Sequence, residues 1–316
     1  MREDARLMSS SASHVSASRF PLIAAPFTAF DAAGEVDLEV IAEQAAKLRR
    51  DGVAGAFVCG TTGEGMSLTL EERLAVASAW CEVREGLEVF VHVGAGSVRD
   101  AERLAAHAGT IDCQAIAALG PTFFTPSSPE ALVAYFERIA AATARPFYYY
   151  HIPSMMRVPY RASELLPMLA ARIPTFAGIK YTHNDLEDFR RCVEMADGKY
   201  RMLFGRDEML LSGIDAGANG AVGSTYNYAA AIYQRVWEAL QAGDRTSAQE
   251  WQDKATRFIA IFVKYGGMEG NKALMAMCGV DCGAPRLPLA PLSADTRERM
   301  RTELEACGFF ESVRQQ

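Results

Sequence analysis

The chain has 316 residues, half of them hydrophobic and 22% charged, close to the average for soluble globular proteins, which argues against a disordered, collagen-like or coiled-coil chain. A net charge of -7 gives no basic footprint for nucleic acid, and no apolar stretch approaches the roughly 18 residues of a membrane span. The seven cysteines are odd in number, scattered and free of CxxC spacing, so they read as buried thiols in a reducing, cytoplasmic setting, with no zinc or redox centre.

Residues 1–18 are Ser-rich and lack the apolar core of a secretory signal, and they are expected to form a mobile leader. From Phe20 onward, short apolar runs alternate with longer amphipathic segments. The runs are Leu22–Phe27, Val53–Cys59, Val89–Val93, Ala115–Leu119, Phe147–Tyr150, Phe176–Lys180, Arg201–Phe204 and Gly220–Gly223. Strands covered on both faces read as continuous apolar runs, not alternating ones, and these do. Between them, helices are expected at Asp37–Arg50, Ser97–Ala108, Pro129–Ala142, Ala162–Ala171, Asn184–Met195 and Asp207–Ala216. Another opens at Thr69, where Thr followed by Glu72 makes a capping-box pattern. Strands alternating with helices in this way predict a parallel sheet closed as a (β/α)8 TIM barrel over residues 19–230, with a doubly wound open sheet as the rival.

After the eighth run the strand signal stops. Helices are expected at Asn227–Ala242, Ser247–Lys264, Asn271–Cys278 and Ala294–Cys307, with a Pro-rich bend at Ala284–Pro291 before the last. Residues 231–316 therefore read as a C-terminal helical extension packed on the barrel.

Barrel enzymes carry their chemistry at the C-terminal ends of the strands. The second run ends in Gly60-Thr61-Thr62-Gly63-Glu64, where glycines free the backbone and two hydroxyls with loop amides suit a carboxylate or phosphate; a plain Gly-rich turn fits as well. The sixth ends in Gly178-Ile179-Lys180. Inside a barrel, desolvation lowers a lysine's pKa and makes the amine a nucleophile toward ketones; one residue past the strand, the same lysine points to solvent. In the fifth run, period two puts Tyr148 and Tyr150 on one face and Tyr149 and His151 on the other, the latter pair toward the helices. A phenol at the strand end is placed to move a proton. The seventh run leads into Gly205-Arg206-Asp207-Glu208, whose carboxylates suit either a helix's first turn or ligand hydroxyls. The eighth ends in Gly223-Ser224-Thr225-Tyr226-Asn227, where Ser224 reads as a helix cap or a ligand contact.

Taken together and in order, Gly60–Glu64, Tyr150–Pro153, Gly178–Lys180, Gly205–Glu208 and Gly223–Asn227 resemble the class I aldolase family of N-acetylneuraminate lyase and dihydrodipicolinate synthase, from about Phe20 to Leu289. The resemblance implies a homotetrameric barrel without metal or organic cofactor, acting on a small-molecule 2-keto acid sugar and pyruvate. It also implies Lys180 as Schiff-base residue and Tyr150 as proton carrier. Thr61 and Thr62 would hold a carboxylate, and Thr182, Gly205, Asp207, Glu208 and Ser224 a hydroxylated tail.

Within the family two departures point to the lyase branch. Met155 stands where the synthases carry a substrate-binding Arg, and Phe123 in Pro121-Thr122-Phe123-Phe124 lacks the hydroxyl of their relay tyrosine. One departure from the lyases remains, in Ser154-Met155-Met156-Arg157. The leading expectation is cleavage of N-acetylneuraminate to pyruvate and N-acetylmannosamine. The alternatives are a dihydrodipicolinate synthase or another pyruvate-dependent aldolase and, outside the enzymes, a catalytically silent 2-keto acid sensor.

Overall fold

The structure, a computed structural model, describes residues 19–314. The leader expected over residues 1–18 lies outside them. The apolar runs become strands because each is covered on both faces, by barrel interior on one side and helices on the other. They are β1 (Leu22–Ala24), β2 (Gly55–Val58), β3 (Glu88–His92), β4 (Ala115–Leu119), β5 (Phe147–His151), β6 (Phe176–Tyr181), β7 (Arg201–Phe204) and β8 (Gly220–Gly223). All pair in parallel with their sequence neighbours, and β1 closes the barrel on β8 through Ile23↔Val222. The expected fold class is the observed one.

The helices are α1 (Val40–Arg50), α2 (Leu70–Glu82), α3 (Val98–Thr110), α4 (Pro129–Ala140), α5 (Ala162–Arg172), α6 (Leu186–Ala196), α7 (Leu210–Asp215), α8 (Tyr226–Gln241), α9 (Arg245–Lys264), α10 (Met268–Met277), α11 (Ala294–Ala306) and α12 (Phe309–Val313). The capping box at Thr69 forms in full: the Thr69 hydroxyl accepts from Glu72 N, and the Glu72 carboxylate accepts from Thr69 N. Two expectations are corrected. The first strand ends at Ala24, not Phe27, because beyond Ala25 the chain turns away over the barrel mouth. The helix expected over Asp207–Ala216 is a 3-10 turn at Asp207–Met209 followed by α7, broken at the turn's last residue, Met209 (φ -127°). The break follows the turn at whose start the Asp207 side chain is held inward by Thr225.

The boundary expected at residue 230 falls inside α8, which packs beside β1 and α1 as the last helix of the barrel wall. Helix α9 returns over the mouth, where Gln252 accepts from Leu211 N at 2.9 Å and donates to Asp207 O at 3.2 Å. The Pro-rich segment then crosses back to the second loop. Arg286 makes a two-point ion pair with Glu72 (2.7 and 2.9 Å) and also donates to Gly34 O and Ser67 O. No helix among the described residues is long and apolar enough to cross a membrane.

Candidate active site

Every one of the nine residues singled out in the sequence lines one pocket of about 180 Å³ at the C-terminal mouth of the barrel. Lys180 on β6 pairs in register with Tyr150 on β5, so both side chains enter the barrel at the same height. Of the two readings open for Lys180, the inward one holds: it is 4% exposed. Its Nζ sits 3.8 Å over the Phe57 ring and 4.0 Å over the Tyr150 ring, and no carboxylate of the described residues pairs with it. Two aromatic faces stabilise a cation weakly compared with water. Burial therefore wins, and the amine's pKa falls to about 7, against a small opposing pull from Asp207. Near neutrality a large share of the amine is unprotonated and nucleophilic.

Tyr150 keeps its hydroxyl 3.2 Å from Thr61 Oγ1. Its ring is fixed edge-on by Phe57 (5.5 Å) and His92 (5.9 Å). Burial raises the phenol's pKa, and the Thr61 and Thr182 hydroxyls draw it partly back. The alternation expected along β5 holds. Tyr149 and His151 face outward, joined at 3.0 Å, with His151 stacked on Tyr181.

The loop after β2 is bracketed by two non-glycine residues in the left-handed region, Cys59 (φ 56°) and Glu64 (φ 51°). Such backbone is held by its surroundings, and here the holders are visible. His92 Nδ1 lies 3.1 Å from Cys59 O, and Thr28 Oγ1 donates to Gly63 O at 2.6 Å. At Gly65 any side chain would collide with Cys59 O, since a Cβ would lie 1.9 Å from it. The tight turn leaves Thr61 half-buried and Thr62 buried, both facing the pocket.

The opposite wall comes from the ends of β6, β7 and β8. A Cβ at Gly205 would come within 2.1 Å of Thr182 Oγ1, so glycine there leaves room for the buried Thr182 hydroxyl beside Tyr150. Asp207 differs from expectation. Its Oδ2 already accepts from Thr225 N (2.9 Å) and Thr225 Oγ1 (2.6 Å), so it is less free for ligand hydroxyls than the sequence implied. Burial lifts its pKa to about 6 despite those bonds. Glu208 is half-buried and pairs with Arg206 at 2.6 Å. Ser224 does not cap α8 with its side chain; its Oγ accepts from Asn271 Nδ2 at 2.8 Å.

Sequence reasoning missed Ile259 and Phe262, which complete the pocket from α9 as an apolar wall. Their i, i+3 spacing marks a helix face, but nothing local says that the face covers a pocket. No group of three or more His, Cys, Asp or Glu among the described residues gathers as a metal site.

Residues 20–307 match the Dihydrodipicolinate synthetase family. The chain is 40% identical to the N-acetylneuraminate lyase of Mus musculus, over 92% of this chain and 93% of that one. Among solved structures it is similar to Proteus mirabilis N-acetylneuraminate lyase (TM-score 0.89, 39% identity, covering 92% of this chain and 100% of that one). It is also similar to the lyase of Aliivibrio salmonicida (TM-score 0.88, 39% identity, covering 92% and 98%).

Proposed function

The chain belongs to the dihydrodipicolinate synthetase family, and on that premise we propose that it is a class I aldolase that reversibly cleaves N-acetylneuraminate to pyruvate and N-acetylmannosamine. The observation that carries the reading is a desolvated, unpaired Lys180 amine packed on Tyr150 in a pocket whose far wall is acidic and hydroxylated. The neutral amine adds to the C2 ketone of the open-chain sugar, and water leaves to give an iminium. The C3–C4 bond breaks, and its electron pair flows into the iminium to form an enamine. Tyr150 relays the C4 hydroxyl proton as the aldehyde forms, passing its own phenolic proton to the substrate's C1 carboxylate as it takes the one from C4. Protonation at C3 and hydrolysis then release pyruvate and the free lysine. The iminium is the electron sink, so the scheme draws on no metal or organic cofactor.

Thr61, Thr62 and the amides of their loop hold the C1 carboxylate. Thr182, Gly205, Glu208, Ser224 and the remaining oxygen of Asp207 receive the hydroxylated tail, with Ile259 and Phe262 as the apolar side. Among the described residues Lys180 is the only cation lining the pocket, while Met155 and Arg157 are both exposed and outside the lining. That favours a hydroxylated tail over the second carboxylate of aspartate semialdehyde. The enzyme works in the cytoplasm as a homotetramer. Supporting this, the cysteines are free thiols, and Phe123 and Phe124, 79% and 77% exposed, offer an apolar surface for subunit contact.

Steady-state kinetics test the reading. Pyruvate release from N-acetylneuraminate is expected, with little condensation of pyruvate and aspartate semialdehyde; the reverse preference overturns it. The Glu208→Ala variant is expected to raise KM for N-acetylneuraminate about tenfold, the order of one charge-assisted hydrogen bond. Its trapping of pyruvate by borohydride should stay close to wild type, because the tail and the keto acid occupy different ends of the site.

The pH dependence follows from Lys180. Only the unprotonated amine attacks, and its pKa lies at about 7. The rate of pyruvate trapping should therefore rise with pH up to about 7 and level off above it, where an ordinary lysine would still be climbing. A rate that keeps rising to about pH 10 would mean that the reacting amine is solvated.

A further inference from the structure

Helix α10 belongs to the C-terminal extension, yet two consecutive residues of it reach two different loops of the barrel mouth. Neighbouring residues on an α-helix point about 100° apart, so one helix is able to grip two partners. Lys272 Nζ pairs with Glu64 Oε1 at 2.9 Å, and both side chains are almost fully buried (1% and 2% exposed). Lys272 also donates to Ala284 O at 3.3 Å and lies 4.3 Å over the Phe30 ring. The other Glu64 oxygen accepts from Arg286 N at 2.8 Å. Glu64 closes the loop that carries Thr61 and Thr62, and it does so in the left-handed conformation.

A fully buried ion pair is a poor source of net stability, since desolvation offsets most of its attraction. It is a strict geometric constraint, because both charges must stay matched. One residue earlier, Asn271 Nδ2 donates to Ser224 Oγ at 2.8 Å, and Asn271 Oδ1 accepts from the buried Tyr228 hydroxyl at 2.6 Å. With its lone pair engaged by Asn271, Ser224 has its own hydrogen left to donate into the pocket. The strands below are β8 and β2, on either side of β1, so α10 bridges the mouth across the end of β1.

We propose that Asn271 and Lys272 are positioning residues for the two ends of the substrate: Lys272, through Glu64, for the loop that holds the keto-acid carboxylate, and Asn271 for the Ser224 hydroxyl that meets the tail. The proposal rests on the aldolase reading above and extends it to residues that touch no substrate. It divides the work of one helix in a way that a merely structural role does not.

The experiment uses the full chain and measures two quantities: the pyruvate concentration for half-maximal borohydride trapping, and KM for N-acetylneuraminate. In Asn271→Asp the carboxylate is acceptor-only and draws the Ser224 hydrogen away from the pocket. KM is expected to rise about tenfold while half-maximal trapping stays within about twofold. In a Ser224→Ala background the same substitution is expected to change KM no further, because the group it reorients is gone. In the neutral pair Glu64→Gln with Lys272→Met, the pyruvate concentration for half-maximal trapping is expected to rise about tenfold in folded protein. The proposal is overturned if the folded pair variant traps pyruvate at wild-type concentrations, or if Asn271→Asp leaves KM unchanged or weakens trapping and KM equally. Should the pair variant not fold, Asn271→Asp and its Ser224→Ala cycle decide alone. Wild-type protein that traps no pyruvate refutes the aldolase reading itself, a result distinct from any of these.

Discussion

Lys180→Met should abolish pyruvate trapping, lower cleavage by about 10⁴-fold or more, as expected for loss of a covalent nucleophile, and leave a protein that melts higher than wild type. The first two effects follow from removal of the amine that forms the bond. The third follows from what burial does to that amine. Its pKa falls from 10.5 to about 7 in the folded protein. Between those values the unfolded chain binds the proton more readily than the folded one, so stability rises with pH across that window and burying the lysine costs stability below it. Methionine has similar length and carries no charge, so it fits against Phe57 and Tyr150 without that cost. Thermal melts at pH 7 and trapping with borohydride check the two halves together. Peptide mapping of the trapped wild type should place the label on Lys180. A label on Lys47, Lys199 or Lys272, or a destabilised Lys180→Met, would contradict the account.

Tyr150→Phe should separate the steps. The ring keeps its edge-on contacts with Phe57 and His92, and Lys180 keeps an aromatic face beneath it, so the pocket retains its shape. What is lost is one hydroxyl, 3.2 Å from Thr61. Thr61 is half-buried and water is able to satisfy it. Adduct formation with pyruvate should therefore persist, while cleavage slows by roughly 10²–10⁴-fold, the usual contribution of a general acid–base group. Single-turnover cleavage followed beside adduct formation separates the two rates. Cleavage at the wild-type rate would make Tyr150 a packing residue only.

The strands were the most legible part of the chain. Ala115–Leu119, Arg201–Phe204 and Gly220–Gly223 were read with their observed bounds, because a strand covered on both faces must be apolar along its whole length. The site residues at the strand ends were legible too, since a lysine next to the end of Phe176–Tyr181 or paired threonines among glycines break the local composition. What stayed hidden depends on partners far away in sequence. Asp207 is held inward by Thr225, 18 positions on, and Ile259 and Phe262 look like any apolar helix face. Glu64 was visible inside its motif, yet nothing near it in the chain points to Lys272 as its partner. The short helix α12 was missed for the same reason: Phe309 packs 4.9 Å from Phe258, a partner 51 positions earlier in the chain.

The way the C-terminal extension grips the mouth bears on the order in which the molecule is completed during synthesis. Lys272–Glu64 spans 208 positions, Arg286–Glu72 spans 214, and Arg286 N to Glu64 spans 222. The ring itself closes late as well, since β1 waits for β8 and Phe20 N for Gln234, 214 positions on. Such contacts must overcome the entropy of closing very long loops before they return any stabilisation, which makes them slow. The loop bearing Thr61 and Thr62 thus leaves the ribosome early but acquires its last fixed neighbours only when residue 286 has emerged. A nascent chain ending soon after β8 holds every strand of the barrel, while the second loop still lacks the residues that bind Glu64.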